Sequence, residues 1–140
     1  MNLEFNVTRR DSIHIDAKQH DLYAQLTTGQ QAPFRTMKDL FVLASHIGFA
    51  RGRRAPLSSQ REIFRWPVFN AQEDIPSLRA IAIAETGDTA ILVDQEQLLT
   101  IVEEYANAGI EEIRREVADQ PGNPVENLAH FLLATRLQGD

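Results

Sequence analysis

Apolar residues recur every three or four positions between residues 37 and 47, which is the spacing of one buried helix face. Thr36 is a favoured N-cap residue, and Asp39, at the third helical position, suits the positive end of a helix. Gly48 is the type of residue that often ends a helix in the left-handed conformation. We therefore predict a helix from Thr36 to Gly48. Its buried stripe consists of Met37, Leu40, Phe41, Ala44 and Ile47.

The segment before this helix alternates with a period of two residues, which is typical of a half-buried strand. The apolar parity contains Phe5, Val7, Ile13 and Ile15. Asp16 then caps a predicted helix that ends near Gly29. A strand followed by two helices is the outline of a ribbon-helix-helix unit, in which paired strands read bases in the DNA major groove. By that analogy the reading side chains are Thr8, Arg10, Ser12 and His14.

The second half of the chain contains three helix starts, each with a polar cap and a first-turn signal. They lie at Asp74 with Pro76, at Asp94 with Gln97, and at Asn123 with Pro124. The first two of these helices are expected to end at Gly87 and Gly109. A further helix is expected from Ile110 to Val117, and the turn 120–122 separates it from the last helix. The predicted fold class is therefore mainly α: one compact helical domain, 1–140, with a short N-terminal strand and, as an open alternative, a ribbon-helix-helix-like start.

An aromatic run lies between the two halves, from Ile63 to Phe69. We predict a single helical turn over Arg61 to Phe64. Aromatic rings beside basic residues are typical of proteins that stack on single-stranded nucleic acid. In a chain with only 7% aromatic residues, however, such a run more often fills the core, so we expect Trp66 to be buried.

The composition and the spacing of reactive residues argue against several classes of functional site. The absence of cysteine excludes disulfides, thiolate metal sites and a cysteine nucleophile. The four histidines lack metal-ligand spacing, neither Lys18 nor Lys38 has the acid-x-Lys context of a nuclease, and there is no glycine-rich phosphate loop. We predict no enzyme activity, no metal site and no cofactor. Without an apolar signal segment or membrane-spanning run, the expected location is the cytoplasm.

Charge is divided unequally along the chain, whose net charge is −6. Residues 1–70 contain ten Lys and Arg against six Asp and Glu, whereas residues 71–140 contain four against fourteen. Two interpretations stay open. The simpler one is that the two halves attract each other within the fold, and the other is that the basic half meets phosphate while the acidic half faces solvent or a basic partner.

Positive charge is densest just after the predicted helix, at Arg51, Arg53 and Arg54, where Pro56 prevents the helix from resuming. Guanidinium groups form forked hydrogen bonds with phosphate or carboxylate oxygens and stay charged at any working pH. The candidate residues for binding nucleic acid or a partner are Arg51, Arg53, Arg54, Arg61, Arg65 and Arg10.

The run PFRTMKDLFVLASHIGFARGRRAPL, with the later segments RWPVF, AIAETGD, IVEEYANAGIEEI and PGNPVENL, resembles Dnd system-associated protein 4, also called DNA phosphorothioation-associated protein 4. The resemblance extends from about Asp16 to Leu132. It implies a place in a bacterial DNA sulphur-modification and restriction locus that acts against phage. It carries over no active-site residue, because none of these segments is a catalytic signature.

Three hypotheses follow from these observations. In the first, the chain is an accessory protein that binds DNA or a DNA-processing partner through the arginine-rich turn. In the second, the turn docks on an acidic surface of another subunit of the system, and the acidic second half docks on a basic one. In the third, the chain is a small transcriptional regulator that reads DNA with its N-terminal strand. No membrane partner is expected, and homo-oligomerisation is left open.

Overall fold

The structure, a computed structural model, describes residues 10–139, with side chains as far as Thr135. Within that range it contains five α-helices and one two-stranded antiparallel sheet, so the mainly α fold with a short N-terminal strand is confirmed. The elements are β1 Ser12–Asp16, α1 His20–Thr27, α2 Met37–Arg51, β2 Gln60–Arg65, α3 Asp74–Thr86, α4 Gln95–Ile113 and α5 Pro124–Gly139.

Helices α2 and α4 cross in direct backbone contact at the centre of the fold. A Cβ atom placed on Gly48 would lie 2.0 Å from the carbonyl oxygen of Tyr105, and one on Gly109 would lie 1.9 Å from the carbonyl oxygen of Ala44. Side chains normally keep packed helices 8–10 Å apart, and only glycine permits this approach. Both glycines therefore serve the packing of two helices.

The predictions that one helix ends at Gly48 and another at Gly109 are wrong, because both glycines lie inside their helices, at the crossing. Helix α2 continues past Gly48 to Arg51, and α4 continues past Gly109 to Ile113. The residue that ends α2 is Gly52, which has a φ of 66° and whose N–H donates to carbonyls of the last turn. The predicted start of α2 is confirmed, because the Thr36 hydroxyl accepts the Asp39 N–H at 3.1 Å.

A π-helical turn, Arg114–Ala118, continues α4 without a break. The separate helix predicted from Ile110 to Val117 is therefore part of one longer helical segment. Helix α5 packs against this π turn. Phe131 on α5 is 7% exposed, whereas Leu132 is 41% exposed and Leu133 is 57% exposed.

Strand β1 pairs with β2 of the same chain, with a β-bulge between Ile13 and His14. Ile13 and Ile15 are buried, as the alternation predicts, whereas Phe5, Val7 and Thr8 lie outside the described residues. The carboxylate of Asp16 accepts the Ser58 N–H at 2.7 Å and so fixes the loop that leads into β2. The helical turn predicted over Arg61 to Phe64 is wrong, because these residues form the second strand of this ladder.

The aromatic run forms part of the core. Phe69 is buried, and its ring makes edge-to-face contacts with Phe64 at 5.1 Å and with Trp66 at 5.4 Å. Phe41 on α2 contacts both phenylalanine rings. Trp66 is half-buried, so it is less enclosed than expected. The rings therefore pack on one another in the edge-to-face geometry that aromatic pairs prefer. This packing accounts for the aromatic run without any stacking on nucleic acid.

No helix within residues 10–139 combines the length and the apolar content that a membrane crossing demands.

Replacing Gly48 or Gly109 with alanine tests the helix crossing. Alanine normally stabilises a helix interior by about 1 kcal/mol relative to glycine. Here we expect each substitution to lower the free energy of unfolding by about 3 kcal/mol, because the added methyl group meets rigid backbone atoms. Urea denaturation followed by circular dichroism measures the difference.

Gly52→Ala is the matched control for these variants. A methyl group added at Gly52 meets open space, so the substitution carries only the cost of placing alanine in the left-handed backbone conformation. We expect it to lower the free energy of unfolding by about 1 kcal/mol. A Gly48→Ala variant as stable as the wild type, or more stable, would show that the two backbones do not touch.

Candidate interaction site at the arginine turn

The arginine turn, residues 51–54, joins the end of α2 to the extended segment before β2. Three hydrogen bonds hold that segment on α4. The Ala55 N–H donates to the Glu104 carbonyl at 3.1 Å, and the Asn107 side-chain amide donates to the Ala55 carbonyl at 3.1 Å and to the Pro56 carbonyl at 3.3 Å. The turn therefore lies against the acidic second half of the chain and does not project freely from the end of the helix.

Arg51 forms a forked ion pair with Glu112 on α4. Its Nε donates to Oε1 at 2.9 Å, and its Nη2 donates to Oε2 at 2.7 Å. The hydrogen bonds from Arg51 lower the pKa of Glu112. Both oxygens of the carboxylate are thus occupied by one guanidinium in the geometry that arginine also uses for phosphate.

Arg54 is held by carboxylates on two different helices. Its Nη1 donates to Oε2 of Glu85 on α3 at 2.6 Å, and its Nη2 donates to Oε1 of Glu104 on α4 at 2.9 Å. The guanidinium also lies 5.7 Å from the ring centre of Tyr105, whose hydroxyl donates to Glu85. Burial raises the pKa of Tyr105 to about 12, and its hydrogen bond, followed by that of Arg54, lowers the pKa of Glu85.

Arg10 belongs to a buried cluster beneath β1. Its side chain is 15% exposed, and its Nη2 donates at 3.0 Å to Glu103, which is 3% exposed. Its Nε lies 3.1 Å from Glu96, without alignment for a hydrogen bond. The backbone N–H of His14 also donates to Glu103, at 2.7 Å. Burial outweighs these bonds and raises the pKa of Glu103 to about 7.

This cluster engages two of the residues expected to read DNA from the N-terminal strand. Arg10 and His14 contact α4, because the buried carboxylate of Glu103 requires hydrogen-bond donors. Ser12 is half-buried, and Thr8 lies outside the described residues. The strand that pairs with β1 comes from the same chain, so the described part of β1 presents no row of free side chains to a DNA groove.

The remaining candidate arginines are exposed. Arg65 pairs with Asp11 at 2.8 Å, and both side chains face solvent. Arg53 and Arg61 have no carboxylate partner among the described side chains. Four of the six candidate arginines therefore pair with carboxylates of the same chain. The carboxylates that pair with Arg51, Arg54 and Arg10 lie in the acidic second half of the chain. The arrangement agrees with the simpler interpretation of the charge division.

A groove of about 400 Å³ lies beside the Arg51–Glu112 pair, between the π turn and α5. Its lining also contains Glu116, Gln120, Pro121, Asn127, His130, Phe131, Ala134 and Thr135. Sequence reasoning did not find this site, because a π turn carries no composition signal and the lining residues come from three separate segments. Likewise, the charge division indicated attraction between the halves but could not assign Glu85, Glu104 and Glu112 to individual arginines.

The raised pKa of Glu103 predicts a pH dependence of stability. The folded state keeps this proton up to about pH 7, whereas the unfolded chain releases it near 4.5, so folding is favoured at low pH and loses stability as the pH rises between these values. Relative to a Glu103→Gln variant, the wild type should lose up to about 3 kcal/mol of unfolding free energy as the pH rises from about 4.5 to about 7.

Denaturation at several pH values measures this difference, with Glu126→Gln as the control. Glu126 is an exposed carboxyl on α5 that does not act on Glu103, so its removal should not change the pH profile. Parallel profiles for the wild type and Glu103→Gln would mean that Arg10 and the His14 N–H keep the carboxylate ionised throughout.

Comparison with known proteins gives one family. The family model described as DNA sulphur modification system-associated protein 4 matches residues 12–139. No curated protein matches the chain, and no solved structure does. The matched residues include both strands, all five described helices, the arginine turn and the groove. The resemblance is thus confirmed, and this chain belongs to the family of DNA sulphur modification system-associated protein 4.

Proposed function

We propose that this protein is a non-enzymatic accessory subunit of a bacterial DNA sulphur modification and restriction system, and that it acts by docking on another protein of that system. Membership of the family supports the association with the system. The docking role is our inference from the state of the arginines. It keeps only one half of the second hypothesis, the docking of the acidic second half on a basic partner, because Arg51 and Arg54 are already paired within the chain.

The internal pairing of the arginine turn carries this proposal. Arg51 and Arg54 are satisfied by Glu112, Glu85 and Glu104 at distances of 2.6–3.1 Å. To bind a phosphate, each guanidinium must first leave carboxylates that already match its fork, so one ion pair replaces another with little net gain. The net charge of −6 adds a general repulsion from DNA.

The non-enzymatic part of the proposal is supported by the environment of Glu103. This carboxyl has the strongly raised pKa that catalytic acids and bases often show. It is only 3% exposed, however, and is enclosed by Arg10 and the His14 backbone beneath the sheet. A substrate cannot reach it, so its shifted pKa is better explained as a consequence of packing.

A second candidate function is direct DNA binding by Arg53 and Arg61. These side chains are exposed and lack carboxylate partners among the described residues, so they alone of the candidates meet DNA without breaking an ion pair. Two phosphate contacts predict weak binding with a log–log salt slope of about −2. This is a narrower form of the first hypothesis.

A DNA titration separates these two functions. We expect no saturable fluorescence anisotropy change with labelled duplexes of unrelated sequence, up to about 10 µM protein and down to about 20 mM salt. Binding with the slope given above, lost in an Arg53→Ala/Arg61→Ala double variant and kept in Arg79→Ala, would favour the second candidate. Arg79 is the matched control because it is an exposed arginine on α3, away from the turn.

Affinity purification from the native host tests docking directly. We expect other proteins of the DNA sulphur modification system, identified by mass spectrometry, to copurify with the tagged chain. Their recovery should be unchanged by nuclease treatment, because a protein surface and not shared DNA connects them. Loss of every such protein after nuclease treatment would overturn the docking proposal.

A further inference from the structure

We propose that the groove between the π turn and α5 is a docking site for a basic side chain, arginine or lysine, in a segment of a partner protein. This inference rests on the proposed docking function and assigns it a surface and a partner chemistry. The groove is named here the π-turn groove, and its lining residues are those given above.

The floor of the π-turn groove is fixed by α5. The side-chain amide of Asn127 donates to the Val117 carbonyl at 3.1 Å and to the Gln120 carbonyl at 3.2 Å, which joins α5 to the end of the π turn. Phe131 of α5 is buried and also lines the groove. Single π turns inside helices recur at functional sites, because they widen the helix and displace its side chains. The groove is therefore built by anchored elements.

The charge of the lining favours a cation. Arg51 and Glu112 neutralise each other within the groove wall, which leaves Glu116 and His130 as its other ionisable side chains. Glu116 is an exposed carboxylate with no ion-pair partner among the described side chains, so it gives the groove its net negative charge when His130 is neutral. Two helical segments, α2 and the π continuation of α4, also end here, and helix C-termini carry partial negative charge. Arg53 and Arg115 lower the pKa of Glu112 from nearby, but neither lines the groove.

The shape of the lining suits a long basic side chain. Phe131 and Ala134 supply an apolar surface for the methylene stem, while Glu116 supplies an acceptor for the charged end. Arginine and lysine combine these two properties, since they bury their stems and keep their heads at a polar rim. Nucleic acid and acidic segments lack the complementary charge, so a basic protein segment is the occupant that the groove fits.

A peptide titration followed by NMR amide shifts tests this assignment on the full chain. The probe is acetyl-Ala-Arg-Ala-Arg-Ala-amide, with acetyl-Ala-Glu-Ala-Glu-Ala-amide and inorganic phosphate as comparisons. We expect the basic peptide to shift the amide signals of Glu116, Asn127 and His130. Glu116→Gln should weaken its binding about fivefold, as expected for one exposed ion pair, and Glu116→Lys at least about tenfold.

Glu126→Lys is the matched control, because it changes the net charge equally at an exposed position of α5 outside the groove. Equal weakening by Glu116→Lys and Glu126→Lys would show only general attraction to an acidic protein and would overturn the site. Binding of the acidic peptide or phosphate at the same signals would overturn its predicted chemistry. Concentration-dependent self-association that depends on Glu116 would assign the groove to a second copy of the chain.

The results distinguish failure of this site from failure of the proposed function. If the basic peptide does not bind but nuclease-resistant copurification persists, the docking function stands and the π-turn groove is not its surface. If copurification is lost with nuclease while the peptide still binds at Glu116, the groove exists and the proposed function is wrong.

Discussion

The contact between the backbones of α2 and α4 is the constraint on which the rest of the structure depends. Gly48 and Gly109 bring the two helices so close that their next turns lie side by side. Arg51 is three residues beyond Gly48, and Glu112 is three residues beyond Gly109, so each lies about one turn past the crossing. The forked ion pair between them, and the groove beside it, are consequences of this closeness.

Features that depend on neighbouring residues were predictable from the sequence. Thr36 caps α2, and the alternation of Ile13 and Ile15 places them in the core. The glycines show the limit of this reasoning. A glycine can end a helix because its backbone adopts the left-handed conformation, or it can permit a close helix contact because it has no side chain. Which of the two applies at Gly48 depends on a helix about sixty residues away in the chain.

The sequence predicted which arginines form the candidate site, but not which of them are already paired with carboxylates. The sequence shows that the arginines are clustered and that acidic residues follow them, and it favours attraction between the halves. It does not show that Arg51 faces Glu112, 61 residues later, or that Arg10 lies over the buried Glu103, because these pairs follow from the helix crossing and the strand pairing. An arginine cluster therefore indicates a binding surface only when its carboxylate neighbours are known, since the same fork accepts either anion.

Tyr105 connects the helix crossing to the arginine turn, because its backbone lies at the crossing and its side chain lies at the turn. Its carbonyl oxygen lies where Gly48 approaches α4, while its hydroxyl donates to Glu85 and its ring lies beneath Arg54. The ion pairs of the arginine turn and the crossing of α2 and α4 therefore share one residue. A partner that draws Arg54 away from Glu85 and Glu104 would remove a cation that lies over the Tyr105 ring, directly beside the helix crossing.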